Sequence, residues 1–272
     1  MIFQKHLSLA VTLRCNLKCE LCSAASPYYN SPTIYSAEIL NRSIDEYFKI
    51  VQHVQKFTLT GGEPLLSPAL PHVVRHLRSY LPRIGELEII TNGTLVPNDD
   101  LLNAIKETED VVFLIDNYGD DISLKVKKTK EVLELNGIKH SERVYYGTDS
   151  HFGGWVDFRQ LALRDANPME TFGKCAYPQK MGFCFTIVGG KIFPCSATRR
   201  CIEQGKLSMN EAEILDIFDG CLSCSEKENW FAEIEKADCL KACSYCPGLS
   251  VDAERFQAAK QIDNPIKSDY IW

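Results

Sequence analysis

Cys15, Cys19 and Cys22, in RCNLKCELC, form a C-x3-C-x2-C loop near the start of the chain. Three thiolates on one short loop can hold three irons of a 4Fe–4S cube and leave the fourth iron open to a small molecule. A structural cluster or a zinc knuckle is normally closed by a fourth protein ligand. An open metal position is where chemistry happens, so the loop points to an enzyme. A second constellation is LTGGEP (59–64). Gly61 and Gly62 permit close backbone approach to a ligand, and Glu63, ahead of Pro64, can accept hydrogen bonds from an ammonium group.

Both motifs follow apolar, β-branched segments, LSLAVTL (7–13) and KFTLT (56–60), which read as strands. The C-terminal ends of such strands are where parallel α/β architectures build active sites. Helical spacing follows over 36–54, with Ser36 as N-cap, and then over 68–81, 99–108 and 123–137, the last closed by a glycine. Strands are expected at 86–94, 111–116 and 138–147. This repeated alternation predicts a parallel sheet.

Cys15, Cys19 and Cys22 followed by Gly61-Gly62-Glu63-Pro64 resemble the radical S-adenosylmethionine (radical SAM) enzymes, over roughly residues 7–165. The resemblance implies a partial (βα)6 barrel open on one side. It also implies a 4Fe–4S cluster whose open iron is chelated by the methionine moiety of S-adenosylmethionine, with the GGEP turn near the amino group. Reductive cleavage then gives a 5′-deoxyadenosyl radical that abstracts a substrate hydrogen. The cofactor carries the hard chemistry, and the protein supplies positioning and redox tuning. A reducing partner such as flavodoxin or ferredoxin is implied as well. The family usually has an aromatic residue before the third cysteine, against the adenine; here that position is Leu21.

Polar residues at the later strand ends, Thr91 and Asn92, Asp116 and Asn117, and Ser141 and Arg143, are candidates for contact with S-adenosylmethionine or substrate. Short polar residues after strands are also ordinary turn chemistry. The HFGGWVD segment (151–157) reads either as a turn with a packed Trp155 or as a loop that lays Trp155 and Asp157 over the barrel mouth. Asp157, or Asp116, is the candidate base for a proton leaving a substrate radical.

The composition changes at residue 175, and nine of the 12 cysteines lie between 175 and 246. FTIVGGKIFPC reads as a β-hairpin turned at Gly189-Gly190. Cys175, Gly190-x4-Cys195, Cys221-x2-Cys224 and Cys239-x3-Cys243-x2-Cys246 resemble the SPASM extension of some radical SAM enzymes, or its shorter relative, the twitch domain. A small cysteine-rich α+β extension with one or two auxiliary 4Fe–4S clusters is implied. The domains expected are a core at 1–165 and the extension at 166–272. With two clusters, the pattern would assign Cys175, Cys184, Cys195 and Cys243 to the nearer one. Cys221, Cys224, Cys239 and Cys246 would hold the outer one, although 14 residues separate Cys224 from Cys239. A single auxiliary cluster and a zinc module are the alternatives. Cys201 is left over as a candidate hydrogen donor.

A net charge of −6 argues against a nucleic-acid footprint, and no apolar run is long enough to span a membrane. Without a signal peptide, 12 cysteines point to metal rather than disulfides, and to a cytoplasmic protein. An auxiliary cluster could take the second electron of a dehydrogenation. With 14 residues before Cys15, no leader-recognition domain is expected there. The reading is a small hydroxylated or saccharide substrate. Modification of a peptide or protein side chain is the alternative, and a non-catalytic electron carrier is a remoter one.

Overall fold

Leu7, Leu9 and Val11 alternate with His6, Ser8 and Ala10 along the first strand, and this period of two sorts the sheet into an apolar outer face and a mixed inner one. The computed structural model describes residues 2–148, 150–159, 161–164, 167–211 and 213–268. Strands β1 (Phe3–Thr12), β2 (His53–Gly61), β3 (Ile84–Thr91), β4 (Val111–Asn117) and β5 (His140–Val144) pair in parallel. Helices α1 (Ala37–Ile50), α2 (Leu70–Leu77), α3 (Asp99–Thr108) and α4 (Val126–Leu135) connect them. Leu7, Leu9, Phe57, Leu59, Leu87, Ile89, Phe113 and Ile115 are buried in the core. Ser36 caps α1 by accepting from Ile39 N, as its position before the periodic segment predicts.

The expected α/β fold forms, with one placement the sequence did not reveal. Beyond β1 the sheet continues into β6 (Phe185–Val188), the first strand of the glycine hairpin. β6 lies parallel to β1 through Leu7↔Phe185, Ser8↔Thr186 and Leu9↔Ile187. The sixth parallel strand of the barrel-like sheet therefore comes from the cysteine-rich half, where it covers an edge that β1 would otherwise leave unpaired. β7 (Lys191–Phe193) and β8 (Leu215–Asp216) continue antiparallel, giving an eight-stranded sheet in the order 5-4-3-2-1-6-7-8. Gly189 and Gly190, at φ 56° and 83°, make the two-residue turn between β6 and β7. The short helices α5 (Pro168–Lys174), α6 (Ala176–Gln179) and α7 (Ser196–Glu203) and the longer α8 (Cys224–Lys236) complete this half. The expected boundary at 165/166 lies outside the described residues. Among those residues, no helix is long and apolar enough to cross a membrane.

The turn after β2 fastens three strand ends together. Gly62 N donates to Thr12 O at 2.8 Å and Glu63 N to Arg14 O at 2.9 Å, so the turn lies directly on the chain entering the cysteine loop. A Cβ at Gly61 or Gly62 would meet Thr12 O at 2.1 Å or Arg14 O at 2.2 Å. The glycines thus serve an approach of backbone to backbone. The Glu63 carboxylate is fully buried and accepts from Leu65 N at 3.1 Å, Thr91 Oγ1 at 2.8 Å and Asn92 N at 2.8 Å. Three of its roughly four lone-pair positions are occupied from within the protein.

Two expectations follow. Gly62→Ala should cost about 3 kcal/mol, because backbone must move to admit the methyl group, and urea denaturation will show it. Burial lifts Glu63 to about 7, against the three donors. Because the folded value is raised, its stability contribution is complete below the unfolded value of 4.5 and is lost as pH rises through about 7. Glu63→Gln, which cannot ionise, should lack this component when unfolding free energy is compared across that range.

Candidate active site

The inner face of the sheet opens onto a cavity of about 370 Å³. Leu21, Ser23, Thr60 and Gly61 line it beside the cysteine loop, Asp116, Tyr118, Arg143 and Tyr145 line one wall, and Tyr177, Cys184 and Cys195 line the end nearest the hairpin. One chamber therefore reaches from the N-terminal cysteine loop to the cysteine-rich half. Leu21 is buried at its wall, where the expected packing against a base can occur.

The cysteine loop follows β1, and its sulfurs receive hydrogen bonds. Leu17 N donates to Cys15 Sγ at 3.4 Å, and Asn92 Nδ2 points to the same sulfur at 3.7 Å. Gln261 Nε2 donates to Cys19 Sγ at 3.2 Å. Burial pushes the Cys15 and Cys19 thiols up to about 12, against these donors. Buried sulfurs surrounded by N–H groups suit thiolates bound to cationic iron, which offsets the cost of burial. Pro64 begins a buried turn behind the loop. Thr91 and Asn92 are committed to Glu63, and neither lines the chamber. The Glu63 carboxylate, held by its own turn and the end of β3, is likewise not among the residues lining the chamber.

Asp116 and Arg143, paired in register across β4 and β5, form a bidentate ion pair with bonds of 2.6 and 2.9 Å inside the chamber. Burial pushes Asp116 up, against the pull of Arg143. The parallel N–H bonds are the geometry of an ionised pair. Asn117 is tied to Glu142 and Gly119, and Ser141 is exposed on the outermost parallel strand, so neither joins this pair in the chamber.

Trp155 lines the chamber as expected, in edge contact with Tyr118, and His151 lies edge-on to Tyr145. Burial and the nearby Arg143 hold His151 below the usual histidine value. Asp157 does not join them. It accepts from Arg159 N and its guanidinium at 2.8 Å each, and Arg159 also bridges to Glu20. Burial works against ionisation, but Arg159 holds Asp157 below the usual carboxylate range. His151 lines the chamber and Asp157 does not.

Deeper in the barrel, His6 Nδ1 lies 3.0 Å from Cys184 Sγ, and its Nε2 lies 2.9 Å from Thr58 Oγ1. Thr58 gives its only hydroxyl proton to Glu88 at 2.7 Å, so its oxygen must accept from His6 Nε2–H. His6 Nδ1 is then the acceptor, and the Cys184 thiol donates to it. Cys184 is thus directed into the barrel, not towards the other cysteines. His6, His151, Tyr118 and Gln261 were missed in the sequence. The His6-Ser8-Ala10 alternation was the one available signal for the polar inner face.

The cysteines of the second half divide differently from the two expected sets. Cys175, Cys195, Cys243 and Cys246 line one small cavity with otherwise apolar walls, including Phe158, Phe172 and Phe183. Leu249 N donates to Cys175 Sγ at 3.5 Å and Gly248 N to Cys246 Sγ at 3.3 Å. Cys195 precedes the first turn of α7, whose Thr198 and Ala197 amides oppose the upward push of burial. The four thiols surround a void: among the described residues, no three His, Cys, Asp or Glu side chains converge tightly enough for one metal ion. The outer set does not assemble. Cys224 opens α8 and Cys239 follows its end, and the 13-residue helix between them is roughly 20 Å long. Cys221 and Cys224 are exposed. Cys201 is 0% exposed in α7, away from the chamber, which removes it as a hydrogen donor to substrate.

The sequence matches the Radical SAM superfamily over residues 9–145. A GTP 3′,8-cyclase of Campylobacter lari is 28% identical over 239 residues, covering 79% of this chain and 70% of that protein. One of Helicobacter pylori is 31% identical over 147 residues, covering 51% and 43% respectively. The chain spans less than half the length of that relative and 32% of the Aquifex aeolicus GTP 3′,8-cyclase. Among solved structures, BtrN in complex with AdoMet and 2-DOIA aligns with a TM-score of 0.57 at 17% identity, covering 95% of this chain and 98% of that one. Streptococcus suis SuiB bound to S-adenosylmethionine aligns with a TM-score of 0.57 at 12% identity, covering 96% and 76%. These likenesses concern the fold. With the family match spanning half the chain and the open cysteine loop at the end of β1, the protein belongs to the radical SAM superfamily, enzymes that use a 4Fe–4S cluster and S-adenosylmethionine.

Proposed function

We propose that this enzyme carries out a net two-electron oxidation of a small hydroxylated or saccharide substrate, assisted by one auxiliary 4Fe–4S cluster. The observation that carries the reading is the chamber of about 370 Å³ that runs from Leu21 and Ser23, on either side of Cys22, to Cys195 of the second cysteine set. When bound, the cofactors supply a 5′-deoxyadenosyl radical at one end and a one-electron acceptor at the other. Cys15, Cys19 and Cys22 would hold the first cluster, and Cys175, Cys195, Cys243 and Cys246 the auxiliary one. Reducing equivalents would come from a partner of the flavodoxin or ferredoxin type.

The residues divide the remaining work. The turn at Gly61–Pro64 presents backbone beside the cysteine loop, and Leu21 offers an apolar face to the nucleoside. A chamber of this size, shared with the nucleoside, leaves room for a sugar-sized molecule. The Asp116–Arg143 pair offers an acceptor and a charged donor to neighbouring hydroxyl groups. A carbinol hydroxyl is acidified once its carbon has lost a hydrogen atom, and His151 is placed to accept that proton; an auxiliary cluster held by Cys175, Cys195, Cys243 and Cys246 would supply the acceptor for the electron. Tyr118, Tyr145 and Trp155 exclude water from the radical. A second reading, modification of a peptide side chain, draws support from the exposed Tyr146 and Phe152 near the chamber mouth.

Anaerobic enzyme, dithionite and S-adenosylmethionine should be incubated with C-deuterated polyols and amino sugars, and separately with short peptides. The expected result is deuterium in 5′-deoxyadenosine together with a sugar-class product two hydrogens lighter. Deuterium transfer from peptides alone would establish the second reading, and no 5′-deoxyadenosine under any condition would end both. His151→Gln should slow turnover on the order of 100-fold or more. In the unmodified enzyme, activity should persist below pH 6.5 and fall only as pH drops through the lowered His151 value. That acid limb should vanish in the variant. Iron in a Cys15→Ala/Cys19→Ala/Cys22→Ala protein should be about four per chain, one cluster. A further Cys243→Ala should remove it, whereas Cys221→Ala/Cys224→Ala should not.

A further inference from the structure

The C-terminal segment returns across the active site as a strap. Arg255 Nε donates to Phe152 O at 3.0 Å, and Phe256 exchanges two backbone hydrogen bonds with Trp155, at 2.9 and 2.8 Å. A Cβ at Gly154 would strike Phe256 O at 2.3 Å, so the glycine there admits the strap. The chain then reaches the cysteine loop. Glu20 N donates to Lys260 O at 2.7 Å and Ile262 N to Lys18 O at 3.0 Å, while the Lys260 side chain pairs with Glu20 at 2.9 Å. Ser268 finally pairs with the chain at Tyr28 and Asn30. This segment lies outside the stretch that matches the superfamily, residues 9–145.

Gln261 occupies the centre of this contact, and its amide orientation follows from its neighbours. Lys18 N–H lies 2.7 Å from Oε1 and can only donate, so the carbonyl must face Lys18. The NH2 group is then directed to Cys19 Sγ at 3.2 Å and to Ala259 O at 2.7 Å. Cys19 itself is 6% exposed, so this bond is made where water screens little.

We propose that Gln261 tunes the radical-generating cluster: its N–H bond to Cys19 raises the cluster's reduction potential. The physical reason is charge. Reduction adds one electron to a cluster whose thiolates already carry negative charge, and a donor aimed at sulfur stabilises that added charge more than the oxidised state. The carbonyl bond to Lys18 holds the donor in place, so tuning and fastening are two halves of one amide. The inference rests on ligation by Cys15, Cys19 and Cys22, and iron counting separates failure of that ligation from failure of the inference.

The test uses the full-length reconstituted holoenzyme. The cluster is identified by the EPR signal that changes on adding S-adenosylmethionine, and its midpoint potential is measured by redox titration. Gln261→Ala removes the donor. Gln261→Glu keeps an oxygen for Lys18 N–H but places an acceptor against the sulfur. Both variants should retain the iron of the unmodified enzyme. The potential should shift downwards in Gln261→Ala and further in Gln261→Glu, with a smaller reduced signal at a fixed dithionite poise. Lys260→Ala, which removes the ion pair with Glu20 but not the sulfur bond, should leave the potential unchanged. Unshifted potentials in both Gln261 variants would overturn the proposal, as would an equal shift in Lys260→Ala, which would mean general loosening of the strap. Should Gln261→Ala lose its cluster, Gln261→Glu decides. Loss of this cluster from both, with auxiliary iron retained, would reduce Gln261 to a fastener and overturn the tuning role.

Discussion

The pairing of β6 with β1 is the constraint on which the arrangement depends. Three registered residue pairs fix it, Leu7↔Phe185, Ser8↔Thr186 and Leu9↔Ile187. β1 delivers the N-terminal cysteine loop at its C-terminal end. β6 starts beside Cys184, and the hairpin brings Cys195 back to that same end of the strand. Between the level of His6 and that of Thr12, β1 runs about 20 Å at its usual rise. The chamber occupies that interval on the inner face. A slip of one residue in the β1–β6 register would turn Thr186 and Val188 away from the chamber and Phe185 and Ile187 into it. The apolar packing of Phe185 against Phe231 and Trp230 of α8 opposes such a slip.

The inner face is polar enough to require organisation. Asp116 is answered by Arg143, and Glu88 by Thr58 and Lys56. Donor directions follow by elimination from Glu88 through Thr58 and His6 to Cys184, leaving the sulfur at the chamber wall. Buried acceptors and donors that are mutually satisfied hold their side chains in single orientations. A reaction through a carbon radical depends on that rigidity, because the Cys184 thiol, itself a hydrogen donor, is held by His6 at one point of the chamber wall. Cys201 shows the same principle from the other side. It is a free thiol, but α7 keeps it in the core, beyond reach of the chamber.

What could be read from the sequence divides along the range of the interactions. The C-x3-C-x2-C loop, the GGEP turn, the Gly-Gly hairpin and the Ser36 cap are local, and each carries its geometry in adjacent residue types. The second cysteine set was only half legible. Cys175, Cys195 and Cys243 share one cavity, and Cys246 rather than Cys184 lines it with them. The reason is physical: α8 stands as a rod between Cys224 and Cys239, and sequence spacing alone treats that stretch as slack chain. Glu63 looked like a ligand because a carboxylate beside two glycines is a reasonable anchor. Its three donors come from residues 65, 91 and 92, two of them on another strand end. Asp157 looked free although Arg159, two residues further on, binds it; only the tie from Arg159 to Glu20, 139 residues away in sequence, depends on the fold. Gln261 offered no signal at all, since an isolated glutamine near a C-terminus has no pattern to betray it.

The strap makes the two ends of the active site mechanically one. Trp155 closes the chamber through backbone bonds to Phe256, and Cys19 receives its side-chain hydrogen bond from Gln261, five residues further along. Five extended residues span at most about 18 Å, so little slack lies between these anchors. Arg159 adds a second tie, since it pairs with both Asp157 below Trp155 and Glu20 within the cysteine loop. Displacing Trp155 therefore pulls on the segment that positions Lys18, Cys19 and Glu20. A short strap thus joins the Trp155 wall of the chamber to the Cys19 loop through backbone connectivity alone.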